Sequence, residues 1–332
     1  MLLRIFHETK FSYTAPVGET VFEVRKAPPT DDDQTALSYK LRISPAAPLT
    51  SYRDGFGNRV DLFNVATPYT ELVVQATSYV RTHRRPAAAR LAGVERDASE
   101  TLAVEALEYL QPSPLAAGGP AVDAFVAEVG RLEGPAEEVV VRLVEGVRGR
   151  LKYEKRVTNS RTPVAEALEV GGGVCQDFAH LLIAASRAVG MPARYVSGYV
   201  AAPGELATHA WCQVWPSDKV GWVDVDPTRG LLPADDHVVT AVGRDYADVP
   251  PNRGLWKGRA EESMAVTVNV EPVDRVPMEW NEFAPPNPRN PGGFAQSQRQ
   301  SASFQSQRLA WAPYPTQRSD ALGLHQQQGE QQ

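Results

Sequence analysis

A cysteine preceded by three glycines and followed by a long apolar run, GGGVCQDFAHLLIAASRAV at 171–189, has the placement of a nucleophile rather than of a buried structural thiol. A thiol attacks a carbonyl carbon only as the thiolate, and the unpaired N–H groups and positive dipole end of a helix start favour that form. Gly171, Gly172 and Gly173 keep the approach to Cys175 clear of side chains and allow a sharp turn into the helix. In the same geometry the Cys175 backbone N–H is available to a developing oxyanion. Such a thiol needs a base, and the chain has six histidines. His7, His83, His237 and His325 fall in an opening strand, a linker, a loop and a tail. His180, five residues after Cys175 on one helix, is rotated about 140° away from it, as a core histidine would be. His209 remains. It opens the strand HAWCQVW, where alternation puts His209, Trp211, Gln213 and Trp215 on one face and Ala210, Cys212 and Val214 on the other. A carboxylate should orient the imidazole, and the next strand, GWVDVDPT, offers Asp224 and Asp226 on a shared face. Asp226, at the strand end before Pro227, is the first choice and Asp224 the reserve. Trp211, Trp215 and Trp222 either wall this site or fill the core.

These side chains require a helix packed on an antiparallel sheet, an α+β layering in which a central apolar helix over 175–189 meets the strands ARYVSGYV, THAWCQVW and GWVDVD. Between about 99 and 155 the period is helical, with Val140, Leu143, Val144, Val147 and Leu151 on one stripe and Arg142, Glu145 and Arg148 off it. Ahead of these helices, residues 1–83 form a β-rich N-terminal domain. Its runs LLRIF, KFSY, TVFEV, ALSYKLRI, RVDLFNV and ELVVQATSYV, separated by turn chemistry, suggest a six-stranded antiparallel sandwich. HRRPAAAR begins a linker over 84–98, and the catalytic core with its preceding helices runs over 99–275, with MAVTVNV as its last strand. Residues 283–332 are rich in proline, serine and glutamine and are expected to be disordered.

A net charge of -6 offers no general attraction for nucleic acid or for anionic membranes. His7 and Glu8 interrupt the opening before a signal-peptide core could form, no run approaches the length of a membrane span, and two cysteines do not make a disulfide framework. A cytoplasmic protein is expected. With no CxxC or HExxH motif and scattered histidines, neither a metal nor a cofactor is expected.

The segments GVCQDFAHL, RYVSGY, HAW and GWVDVDPT resemble the core of the bacterial transglutaminase-like proteins, members of the transglutaminase-like superfamily of papain-type fold. HETKFSYTAPV and DGFGNRV resemble the β-rich domain that precedes that core, so the resemblance covers roughly residues 2–272. It implies Cys175 as nucleophile, His209 as general base and acid, and Asp226 as the orienting carboxylate, which selects between the two aspartates. It also implies an upstream aromatic residue at the oxyanion, for which Tyr153 is the placed candidate. Gln176, Asp177 and Trp211 are the other candidates for oxyanion stabilisation or support behind the triad. Gln213 stands where the family often has glutamate, a departure that bears on acceptor binding. The implied chemistry is acyl transfer from a protein or peptide amide through a thioester. With an amine as acceptor the protein is a transglutaminase, with water a cysteine protease or amidase, and with catalysis lost a scaffold or binding protein on the same fold.

Overall fold

In the computed structural model the first strand, β1 (Leu2–Val24), is continuous where the sequence suggests three separate runs. Buried and half-exposed residues alternate without a break from Leu2 to Tyr13, as a strand with one buried face requires. Pro16 falls where the register shifts, between Ser12 and Val17, and Gly18 opens a second shift, between Gly18 and Val21, so they bend the strand rather than end it. The structure describes residues 1–95, 102–201, 208–230, 233, 235–278 and 280, and the backbone of 324–328.

The bend gives β1 two sets of neighbours. The strands that follow it are β2 (Gln34–Ser44), β3 (Leu49–Arg53), β4 (Arg59–Val65) and β5 (Tyr69–Thr82). The first half of β1 pairs with β5, which pairs with β2; the second half pairs with β4, which pairs with β3. All are antiparallel, and the curled halves enclose Phe11, Phe22, Phe63, Leu72 and Trp256.

Among the described residues four α-helices come next: α1 (Ala87–Leu91), α2 (Val104–Leu107), α3 (Pro120–Val129) and α4 (Ala136–Arg150). In α4, Val140, Leu143, Val144 and Val147 form the buried stripe, with Glu137 and Glu138 in the first turn and Arg148 and Arg150 in the last, where the helix dipole favours them. A two-residue strand, β6 (Lys152–Tyr153), lies parallel to β7 (Gly172–Gly173), with α5 (Val164–Val170) between them. Helix α6 (Cys175–Ala188) is buried along nearly its whole length. It packs on β8 (Ala193–Val200) and β9 (Thr208–Val214), which with β10 (Val223–Val225) and β11 (His237–Gly243) form an antiparallel sheet in the order β10-β9-β8-β11. Helices α3, α4 and α5 cover the other side of α6.

The chain then returns to the N-terminal unit. The strand containing MAVTVNV, expected to finish the catalytic core, lies in β13 (Glu262–Pro272) and pairs with β1 along residues 3–13; β12 (Asn252–Lys257) pairs with the other half of β1. Alternation identifies a strand but not the edge it joins, which is why the sequence placed it in the wrong unit. Most of the tail lies outside the described residues, but the backbone of β14 (Leu324–Gln328) pairs with β12, in contrast to the expected disorder. An open strand edge offers backbone donors and acceptors that need no apolar partner sequence.

The N-terminal unit grips β11 through two side-chain amides. Gln34 exchanges hydrogen bonds of 3.0 and 2.9 Å with the backbone of Val239, and Asn58 two of 2.8 Å with that of Val242. Leu3, Ile5 and Val80 pack against Tyr199 and Val238 beside them. Among the described residues no helix is long and apolar enough to cross a membrane.

Candidate active site

Cys175 is the first residue of α6 and is only 8% exposed. Its N–H is one of the helix N-terminal donors for which no intrahelical carbonyl exists. The turn ahead of it is fixed by Asp177, whose Oδ2 accepts hydrogen bonds from the Val174 N–H at 2.8 Å and the Thr158 hydroxyl at 2.7 Å. Burial raises the Asp177 pKa, against the opposing effect of these bonds. Each glycine before the cysteine has its own reason. Gly171 ends α5 in the left-handed region, at φ 72°, and Gly172 lies under the Lys152 carbonyl. At Gly173 any Cβ would run into the Asp177 carboxylate. The glycines therefore serve the backbone turn and its cap more than an open approach to sulfur.

His209, at the start of β9, hydrogen-bonds the Cys175 thiol and, through Nε2, Asp226 Oδ2 at 2.8 Å. With Nε2 committed to the carboxylate, Nδ1 is the nitrogen that faces sulfur. Burial pulls the His209 pKa down, but the hydrogen bonds to Asp226 and Cys175 and their charges outweigh it and push it up to about 10. Asp226 is fully buried. Pro227 after it turns the chain so that Asp226 Oδ1 accepts the N–H groups of Thr228 at 3.0 Å and Arg229 at 3.1 Å, an Asx-type turn that leaves Oδ2 for the imidazole. Burial would raise this carboxyl, yet the imidazoles of His209 and His237 hold it well below the usual carboxylate range.

Asp224, the reserve candidate, is engaged elsewhere. It accepts from Trp211 Nε1 at 2.6 Å and Gln213 Nε2 at 3.2 Å and pairs with the buried Arg84 at 3.4 Å. That network anchors Trp211, whose indole stacks on His209 with ring centroids 6.1 Å apart. Trp215 and Trp222 contact each other, and Arg194 and Tyr109 lie against Trp222, so of the three tryptophans Trp211 is the one packed on the imidazole. Gln213 also accepts from Arg194 at 2.7 Å. Tyr153 is drawn beside the site because β6 pairs it with Gly173, but it is half exposed and its ring packs near Phe178. Gln176 is buried with its Oε1 unpartnered. Cys212 donates to the Ala179 carbonyl of α6 at 3.2 Å, on the face opposite Trp211. His180 accepts from the Tyr246 N–H at 3.2 Å, and burial lowers its pKa to about 4, so it is a neutral core group.

His237 was passed over in the sequence as a loop residue. It is the first residue of β11, fully buried, and its Nε2 reaches Asp226 Oδ2 at 3.2 Å. No local pattern ties it to Asp226, because β10 and β11 lie at opposite edges of the sheet. His209, Asp226 and His237 are the one group among the described residues whose ligand-type atoms cluster closely enough, within 4.8 Å, to be weighed as a cation site. Those atoms already face one another in imidazole–carboxylate hydrogen bonds, which suits proton handling.

Gly198, across from His209 on β8, has no room for a side chain: a Cβ there would meet the Trp211 indole and the Val238 carbonyl. Gly198→Ala is expected to displace Trp211 and the imidazole stacked on it, at a cost of about 1–3 kcal/mol, checked by thermal unfolding alongside thiol reactivity.

Comparison with known proteins agrees with this architecture. The family model for the transglutaminase-like superfamily matches residues 123–227, and that for the bacterial transglutaminase-like N-terminal region matches residues 3–81. An uncharacterised protein of Mycobacterium tuberculosis is 34% identical over 298 residues, covering 82% of this chain and 93% of its own; one from Mycobacterium leprae is 31% identical over 277 residues, covering 81% and 98%. A protein-glutamine gamma-glutamyltransferase of Pseudomonas aeruginosa is 27% identical over 135 residues, 35% of this chain and 19% of that protein. The crystal structure of a candidate cysteine protease from Cytophaga hutchinsonii superposes with a TM-score of 0.68 at 24% identity, covering 83% of this chain and 93% of the other. The two family models, matched in this order over a β-rich domain and a cysteine-bearing helix on an antiparallel sheet, together with relatives above 30% identity along most of the chain, place it in the transglutaminase-like superfamily, in its bacterial form with the dedicated N-terminal region.

Proposed function

We propose that the protein is a cysteine acyltransferase that takes the acyl group of a glutamine carboxamide onto Cys175 and passes it to an amine. The observation that supports this most directly is the chain of hydrogen bonds from the Cys175 thiol to His209 and on to Asp226, at the start of a buried helix. In the first step the thiol proton moves to His209 Nδ1 and the sulfur attacks the carboxamide carbon. The Cys175 N–H is the donor offered to the oxyanion. His209 then returns the proton to the departing nitrogen, ammonia leaves, and a thioester remains. The acceptor amine gives a proton to His209 as it attacks, and collapse of the intermediate releases the thiol. Asp226 keeps the imidazole oriented and balances its charge. The choice of glutamine donor and amine acceptor is supported by the partial similarity to a protein-glutamine gamma-glutamyltransferase.

The test is incubation with a glutamine-containing casein digest, with and without a primary amine, read by mass spectrometry. Amine mass added at glutamine is expected. Deamidation or backbone cleavage that ignores the amine would make water the acceptor and the protein a hydrolase. An unchanged digest, with Cys175 also inert to acylating probes, would leave the fold as a binding scaffold.

A further inference from the structure

The carboxylate behind His209 is shared. Asp226 Oδ2 faces His209 Nε2 at 2.8 Å and His237 Nε2 at 3.2 Å, while Oδ1 is occupied by the two backbone N–H groups of the following turn. Both imidazoles thus compete for one oxygen of a fully buried group. Behind His237 the network continues: Nδ1 meets Asp236 Oδ1 at 2.8 Å, and Arg229 Nη1 donates to Asp236 Oδ2 at 2.8 Å. Asp236 is the outlet of the network to solvent, with its side chain 25% exposed against 1% for His237. The Trp211 indole touches both rings, stacked on His209 and edge-on to His237 at 5.0 Å, so a single side chain sets their relative attitude.

We propose that His237, held by Asp236, which Arg229 holds in turn, is a positioning residue that shares Asp226 with His209 and so limits how firmly the carboxylate holds a proton on the catalytic imidazole. This rests on the acyl-transfer reading given above. Carboxylate oxygens only accept, so the His237 ring satisfies Asp226 and Asp236 together only with a proton on each nitrogen. Asp226 is then shared by both imidazoles, and Asp236 by His237 and Arg229. The groups facing the His209 ring are Cys175 from α6, Asp226 from the turn after β10 and His237 from β11; the Arg84–Asp224 pair lies behind Trp211. The consequence is chemical. His209 has to accept a proton from the thiol and then surrender it to a poor leaving group. An unshared buried carboxylate would favour the first transfer at the expense of the second.

The experiment follows the ring resonances of His209 by NMR through a pH titration, in a Cys175→Ala background that removes the sulfur's own contribution. His237→Gln keeps a neutral donor for Asp226 and removes the charge. Asp236→Asn keeps an acceptor for His237 but removes the carboxylate charge behind it, at a partly exposed position. The expected result is a His209 midpoint raised by about one pH unit in His237→Gln, with a smaller rise in Asp236→Asn. A midpoint that stays put or falls in both variants overturns the role given to His237, and should His237→Gln fail to fold, Asp236→Asn decides alone. A parallel measurement separates this from the parent reading. Alkylation of Cys175 by iodoacetamide in the native chain, followed against pH, should show thiolate reactivity at neutral pH. A native Cys175 that behaves as an ordinary thiol brings down the acyl-transfer reading, whereas a reactive Cys175 with an unmoved His209 brings down only the shared carboxylate.

Discussion

Replacing Cys175 with alanine is expected to lower amine incorporation by at least about 10⁴-fold while the protein still folds. The thiol is small, lies at the first position of α6, and makes its polar contact to His209. Its loss removes about 1 kcal/mol or less of buried contact, and the helix start survives because Asp177 caps it independently of sulfur. The remaining groups cannot substitute, since Cys212 points at the Ala179 carbonyl and burial raises its pKa well above the ordinary thiol value. Amine incorporation rates for the wild type and the variant, with circular dichroism to confirm the fold, check this. Activity persisting in the variant would show that the chemistry runs elsewhere in the molecule.

How much of this site could be read in the sequence depended on how local each relationship is. Cys175 was legible because its context is contiguous: glycines, a cysteine and an uninterrupted apolar helix. His209 followed from two-residue alternation, which also sent Cys212 to the opposite face. Choosing Asp226 over Asp224 needed more, because both share a strand face; the proline after Asp226 creates the turn that aims its carboxylate, and that much is written in DPT. His237 was not legible. The β10 and β11 strands are not neighbours in the sheet, so no register argument joins His237 to Asp226. The same limit explains β13, whose alternation declared a strand without declaring its partner. It also hid the two amide grips of Gln34 and Asn58 on β11, each 184 or more residues distant in the chain, by which the N-terminal unit steadies the strand that bears His237.

Asp226→Ala is expected to damage stability and activity together. The substitution leaves His209, His237 and the N–H groups of Thr228 and Arg229 without their acceptor in a buried space. Breaking a buried charged network in this way costs about 3–5 kcal/mol, which should appear as a fall of several degrees in unfolding temperature. Acyl transfer should fall by about 10⁴-fold, because the imidazole loses the group that fixes its tautomer. The pH dependence gives the sharper check. Asp226 has a folded pKa held below its unfolded value, so its contribution is present above the ordinary carboxylate range and is lost as the pH falls through the depressed folded value. His209 is shifted the other way: its contribution is fully present below the unfolded histidine pKa of about 6.5 and is lost as the pH rises through about 10. The wild type should therefore lose this part of its stability at both extremes, and the difference in unfolding free energy between wild type and Asp226→Ala should be largest from weakly acidic to neutral pH and narrow toward either end. A difference that stayed constant across the range would mean that Asp226 stabilises the turn through the backbone N–H groups it accepts from alone, with no charge shared with the two imidazoles.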